Sequence, residues 1–169
     1  MSDDNLDNDG IFGSDILDLD AFNQLLSMDD EGDEDHEFSR DIVDNYFDQA
    51  RGTFSDMDKA FLAKDLGKLS SLGHFLKGSS ATVGVKKVQE CCKHIQYLGK
   101  LQGASGEGVV EPEEALRLIG LELAKGKEEY QKAEEFLRFF YEADPGDEDD
   151  DEDEDEDEDE DDDERDDGK

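Results

Sequence analysis

The sequence is short of cysteines and of long apolar runs. Its two cysteines, Cys91 and Cys92, are adjacent, and neighbouring cysteines rarely bridge one another, so we expect a reducing compartment and no disulfide framework. No apolar run is long enough to span a bilayer. The acidic first ten residues lack the basic flank and apolar stretch of a secretory signal. We therefore expect a protein of the cytoplasm and nucleus with no membrane partner.

Lysine and arginine are scarce at both ends of the chain. Residues 1–37 hold 14 acidic and no basic residues, and residues 144–169 hold 21 acidic and two basic residues, so these ends carry −14 and −19 of the total charge of −35. Residues 38–143 are nearly neutral and long enough for one small domain. The negative balance argues against a nucleic-acid ligand, because phosphate contacts need clustered lysine and arginine.

Three regions follow from this charge distribution. The acidic run from Asp147 to Glu164 is unbroken, and its self-repulsion and lack of apolar residues predict disorder. We expect residues 1–15 to be a disordered acidic N-terminus, residues 16–143 to be a folded domain, and residues 144–169 to be a disordered acidic tail.

Apolar residues recur at helical spacing in four segments, with no convincing strand pattern. The four predicted buried faces are Val43, Phe47, Ala50, Phe54, Met57 and Phe61; Leu69, Leu72, Leu76 and Val83; Val85, Val88, Cys92, Ile95 and Leu98 or Gly99; and Leu116, Ile119, Leu123, Gly126, Tyr130, Ala133, Leu137 and Phe140. Short connections at Gly67 and Gly84 favour antiparallel neighbours. The predicted fold is all-α, an antiparallel four-helix bundle with an extra short N-terminal helix over Asp20–Ser27.

The sequence lacks the usual signatures of nucleotide and metal sites. No glycine-rich loop is followed by Lys-Ser/Thr, so the chain shows no ATP site and is not predicted to be an ATP-dependent kinase. Cys91 and His94 are three residues apart, but a zinc site needs further ligands and none are suitably spaced. We therefore expect no metal site, and Cys91 and Cys92 are interpreted as small core residues.

His74 lies opposite the apolar stripe of its predicted helix. At about 100° per residue, Leu69, Leu76 and Val83 fall within about 60° of Leu72, whereas His74 lies near 200°. This position disfavours a histidine of the core. It leaves an idle surface histidine and a functional one as the two remaining interpretations.

Gly78 favours a functional role for His74 over that of an idle surface histidine. It follows one turn later, and a mid-helix glycine costs about 1 kcal/mol relative to alanine, so it needs a packing or functional reason. Because residues four apart are neighbours on a helix, the missing side chain clears space beside the imidazole. Lys77 lies on the other flank, where its ammonium can offset the charge of an attached anion. Together these residues suit a phosphorylated imidazole.

The same residues carry a family resemblance. The run HFLKGSS, from His74 to Ser80, with Gly84 four residues further on, resembles the signature of histidine-containing phosphotransfer (HPt) domains. The wider runs 22–30 and 75–100 are similar to those of the fungal phosphorelay intermediates of osmotic and oxidative stress signalling. The resemblance covers about residues 16–143 and leaves out the acidic tail.

The resemblance implies an activity and a role for each motif residue. His74 would accept a phosphoryl group on its outer ring nitrogen from a receiver-domain aspartate and pass it to the aspartate of a downstream response regulator. Lys77 would stabilise the phosphoryl charge, and Gly78 would provide the space. Gln96, on the neighbouring helix, would orient the imidazole.

The resemblance also implies partners. They are the receiver domains of a hybrid sensor histidine kinase and of response regulators, docking on Leu25, Met28, Phe38, Ile42 and Phe75. No cofactor is implied on this chain, since Mg²⁺ would come with the receiver domain, and a shuttle with one docking face would be a monomer. The alternative function, based on the tail alone, is an acidic adaptor or chaperone for basic proteins such as histones.

Overall fold

The computed structural model describes residues 15–142, which form five helices of eight or more residues. They are α1 (Leu19–Leu26), α2 (Glu37–Leu62), α3 (Leu66–Val83), α4 (Lys86–Gly99) and α5 (Pro112–Glu142). Within the described range the only β-type pairing is an isolated bridge between Gln102 and Val109, so the all-α prediction is confirmed. The predicted disordered ends lie outside this range, apart from residue 15.

Helices α2 to α5 form the predicted antiparallel bundle, and α1 packs across α3. The antiparallel arrangement is seen in the contacts between neighbouring helices, because residues near the start of one helix contact residues near the end of the next. The hydroxyls of Tyr46 in α2 and Ser80 in α3 are 2.8 Å apart, and the Ser70 hydroxyl of α3 donates to the Gln96 carbonyl of α4 at 2.8 Å. Within residues 15–142, no helix has the length and apolar character needed to cross a membrane.

The predicted helical faces form the core. All their members are buried except Phe61, Leu72, Leu116 and Phe140, which are partly buried and pack against the others. Met57 and Leu76 are completely buried, and burial of such a side chain contributes about 1.5–3 kcal/mol. Because Leu76 anchors α3 to the core, the direction in which His74 points is fixed.

The turn between α2 and α3 corrects one prediction. Gly67 was expected to connect the helices, but it lies in the first turn of α3, and the turn spans residues 63–65. Asp65 explains the shift, because its carboxylate accepts a hydrogen bond from the Lys68 N–H at 3.1 Å. This N-cap satisfies one of the free donors at the helix start.

Gly84 ends α3, as predicted, and the backbone of the segment before α1 packs against it. Its φ of +89° lies in the left-handed region that favours glycine. A Cβ atom here would lie 2.8 Å from the Asp18 carbonyl oxygen, and the Asp18 N–H donates to the Gly84 carbonyl at 2.7 Å. Helix α1 starts one residue earlier than predicted because Asp18 is its N-cap, accepting from the Ala21 N–H.

A buried carboxylate joins the loop 29–37 to the bundle. Asp29 accepts hydrogen bonds from the Ser39 N–H and hydroxyl, each at 2.7 Å, and from Nδ1 of His36 at 3.0 Å. The Tyr141 hydroxyl of α5 donates to the Ser39 hydroxyl at 3.0 Å. Burial raises the pKa of Asp29, but these bonds outweigh it and hold the pKa below its usual value. The start of α2 is thereby tied to the end of α5.

Candidate functional site

His74 is exposed near the middle of α3, as the helical wheel predicts. Leu76, two residues later, is buried on the opposite face. The imidazole therefore faces solvent from a rigid support, which is how a reactive group has to be held if it serves a macromolecular partner.

Helices α3 and α4 meet closely beside His74. A Cβ atom at Gly73 would lie 2.8 Å from the carbonyl oxygen of Cys92 and 3.1 Å from the backbone nitrogen of Gln96. This glycine therefore permits the approach that brings Gln96 to the imidazole. Gly73 was not among the predicted site residues, although a glycine inside a predicted helix is a signal of close packing.

Three of the predicted site residues form one hydrogen-bonded chain. Nζ of Lys77 donates to Oε1 of Gln96 at 2.8 Å, and Nε2 of Gln96 lies 3.2 Å from Nδ1 of His74. The ammonium of Lys77, expected beside the ring, is thus held against the neighbouring amide. Among the described residues, none forms a hydrogen bond with the outer ring nitrogen, Nε2.

Gly78 opens the space predicted for it. It is exposed, and a Cβ atom built on it would meet no heavy atom within 4 Å. Packing within the described part of the chain therefore does not require a glycine here. A group approaching from outside does benefit, because it can reach the His74 ring without meeting a side chain one turn away.

A shallow depression borders the other side of His74. It has a volume of about 320 Å³ and is lined by Ser70, Ser71, His74, Gln96 and Lys100. Lys100 brings a second cation to the site and was missed by the sequence analysis. Its position one turn after Gln96 is the signal that could have found it, since residues four apart share a helix face.

Most of the predicted docking residues are exposed on the side of the bundle that carries His74. Met28 is 61% exposed, Phe38 is 50% and Phe75 is 51%, and Ile42 is half-buried. Leu25 differs: it is 3% exposed and packs into the core, while forming part of a depression of about 240 Å³ with Met28 and Ile42. We call the exposed surface of Met28, Phe38, Ile42, Phe75 and Gly78 the docking face.

The remaining cysteines and histidines do not assemble into a metal site. Within residues 15–142 no group of three or more His, Cys, Asp or Glu side chains could hold a metal ion. Cys91 is buried, and burial raises the pKa of its thiol to about 12. Nδ1 of His94 lies 3.2 Å from the Glu122 carboxylate. The chemistry of the described residues is therefore concentrated around His74.

The sequence model of the Hpt domain matches residues 41–126, about half of the chain. The chain belongs to the Hpt domain family. It is 49% identical over 128 residues to the multistep phosphorelay regulator 1 of Schizosaccharomyces pombe, covering 75% of this chain and 43% of that protein. It is 40% identical over 88 residues to the phosphorelay intermediate protein YPD1 of Saccharomyces cerevisiae, covering 52% of this chain and 51% of that protein. The chain thus spans about half the length of the curated relatives it matches.

Solved structures of Hpt proteins have the same fold. Ypd1 of Saccharomyces cerevisiae, in its co-crystal structure with the receiver domain of its downstream response regulator Ssk1, is similar with a TM-score of 0.64 and 30% sequence identity. The similarity covers 75% of this chain and 94% of that one. The predicted membership of the Hpt family is therefore confirmed.

Proposed function

We propose that the chain is a histidine phosphotransfer protein of a multistep phosphorelay. It accepts a phosphoryl group from a receiver-domain aspartate onto His74 and passes it to the aspartate of a downstream response regulator. The observation that carries this proposal is the geometry of His74 in an Hpt bundle. Its inner nitrogen lies 3.2 Å from the Gln96 amide, no described residue bonds to its outer nitrogen, and Gly78, one turn later, leaves the surface open.

The transfer needs positioning and charge stabilisation more than covalent help from the protein. The lone pair of Nε2 of His74 forms a bond to phosphorus. The bond between phosphorus and the aspartyl oxygen breaks, and its electron pair stays on the carboxylate. Lys77, which is bonded to Gln96, and Lys100, which lines the same depression as His74, offset the charge of the phosphoryl oxygens. The receiver domain would hold the Mg²⁺, which would add further neutralisation of the phosphoryl charge.

The partners that fit this activity are the receiver domains of a hybrid sensor histidine kinase and of response regulators. The docking face supports this, because three large apolar side chains exposed on the side that carries His74 are typical of an interaction surface. We propose that the protein acts as a monomer in the cytoplasm and nucleus, without a nucleic-acid ligand. The relative named above whose co-crystal structure contains a receiver domain supports the partner class.

The test is transfer from a phosphorylated receiver domain to the purified chain. We expect acid-labile, alkali-stable phosphate on His74 in the wild type and none after His74→Gln. His94→Gln is the matched control, because His94 is half-buried and lies against Glu122, and it should accept as much phosphate as the wild type. Equal labelling of the His74→Gln variant would refute the assignment.

A further inference from the structure

The hydrogen-bond chain from Lys77 to His74 has a fixed direction. An ammonium group has only donors, so the oxygen of the Gln96 amide has to face Lys77. The NH₂ group of the same amide then faces Nδ1 of His74 at 3.2 Å. An amide N–H donates, and Nδ1 accordingly accepts.

This direction determines the tautomer of the ring. A neutral imidazole carries one proton, and a nitrogen that accepts a hydrogen bond does not hold it. With Nδ1 accepting from Gln96, the proton of His74 lies on Nε2. The outer nitrogen, which faces the partner, then has no lone pair in the ring plane with which to attack phosphorus.

We propose that Lys77, acting through Gln96, is a positioning residue that keeps His74 in this non-nucleophilic tautomer until a phosphoryl group arrives. The inference builds on the proposed function and adds a controlled resting state to it. The arriving phosphoryl oxygens attract the ammonium more strongly than a neutral amide does. Lys77 leaves Gln96, the amide turns over, and its oxygen becomes an acceptor for Nδ1–H.

The proton balance of the switch is simple. Water takes the proton from Nε2 and returns one to Nδ1, so the ring stays neutral while its lone pair moves to the outer nitrogen. Nε2 bonds to phosphorus, and the aspartyl oxygen leaves with the electron pair. The phosphorylated ring retains its Nδ1 proton, which donates to Gln96. Reversal of these steps returns the phosphoryl group to a second aspartate and restores the contact between Lys77 and Gln96.

The surroundings allow the amide to turn without moving its helix. The Ser70 hydroxyl donates to the backbone carbonyl of Gln96 at 2.8 Å, and the Gly73 contact holds the Gln96 backbone against α3. The side chain of Gln96 is only half-buried. Rotation of the amide is therefore the smallest movement that can change the proton position on His74.

The test is nitrogen-15 NMR of the imidazoles in the full chain, without any partner, at a pH above the imidazole titration. The two ring nitrogens have well separated shifts according to protonation. We expect Nε2–H in the wild type and a shift of the population towards Nδ1–H in Lys77→Met. Lys77→Arg keeps the donors and should restore Nε2–H. Gln96→Glu has only acceptors facing the ring and should give Nδ1–H.

Lys100→Met is the matched control, because it removes a positive charge from the same depression but no partner of Gln96. It should leave the tautomer unchanged. A wild-type ring with Nδ1–H, or a Lys77→Met ring identical to the wild type, would overturn the proposal. The measurement needs no receiver domain, so failure of the phosphotransfer assay would count against the proposed function and leave this result standing.

Discussion

A Cβ atom on Gly73 would lie 2.8 Å from the carbonyl oxygen of Cys92, so α3 and α4 touch backbone to backbone next to His74. A Cβ atom on Gly78, five residues further along α3, would meet no heavy atom within 4 Å. The two glycines therefore serve different purposes. Gly73 belongs to the packing of the bundle, and Gly78 belongs to the surface that a partner meets.

Gly73→Ala should destabilise the fold. The added methyl group has to push α4 away from α3, and overpacking of this kind costs about 1–3 kcal/mol. The same displacement should move Gln96 away from His74 and slow phosphoryl transfer. Urea denaturation measures the first effect, and a single-turnover transfer assay measures the second. An alanine variant as stable as the wild type would show that the helices can separate at no cost.

Gly78→Ala should stabilise the fold by about 0.5–1 kcal/mol, because alanine is the better helix former and nothing obstructs it. Gly78→Gln should leave the melting temperature close to that of the wild type and yet suppress transfer from a receiver domain. Circular dichroism melts and the transfer assay separate these effects. Full transfer activity in Gly78→Gln would remove the steric role assigned to this position.

Asp29→Asn should destabilise the protein at neutral pH by about 1–3 kcal/mol, because the buried Ser39 donors lose a charged acceptor. The folded-state pKa of Asp29 is lowered, so its stabilising contribution is complete above the ordinary carboxyl pKa and is lost as the pH falls through the folded value. Urea denaturation at pH 7 and below pH ~4 should show the wild type and variant converging. Asp30→Asn, at an exposed neighbouring residue, is the control and should lack this behaviour.

Phe38→Ala should weaken receiver binding about tenfold or more, since central aromatic side chains commonly carry most of the energy of an interface. Phe139→Ala is the matched control, because Phe139 is 70% exposed but lies on α5, outside the docking face. Titration calorimetry with a receiver domain measures both. Equal affinities for the two variants would place the docking surface elsewhere.

Removal of residues 144–169 should leave transfer to His74 intact, because the site lies within the described bundle. The adaptor alternative predicts a different outcome for basic partners. If the acidic run binds histones, the truncated chain should lose that binding and the His74→Gln variant should keep it. A truncated chain that no longer accepts phosphate would show that the tail contributes to the relay itself.

The sequence was most informative where helical spacing alone determines the direction in which a side chain points. The stripe containing Leu76 required His74 to face solvent, and the glycine at 84 marked a helix end. The family resemblance, not the spacing, singled out Gln96. The turn before α3 was misplaced because two residues there are both typical of helix boundaries. Asp65 can cap the start of a helix, and Gly67 can end one. The pattern of apolar residues does not show which of the two marks the boundary.

Contacts between helices were less predictable. The bond between Lys77 and Gln96 depends on how closely α3 and α4 approach, and that distance is set by Gly73, whose importance appears only when the facing backbone is known. Leu25 was expected among the docking residues from the resemblance, yet it faces the core. Which residues of a short amphipathic helix such as α1 are buried depends on how the helix packs on the bundle.

Two hydrogen bonds lie at the same end of the bundle. One joins Tyr141 to Ser39, and the other joins Asp18 to Gly84. At this end, Asp30, Asp33, Glu37 and Asp41 line one depression together with Met28 and Phe38. The surface beside Phe38 is therefore negatively charged. A partner with a positive rim would be turned into register before contact, and the association rate should fall steeply with added salt.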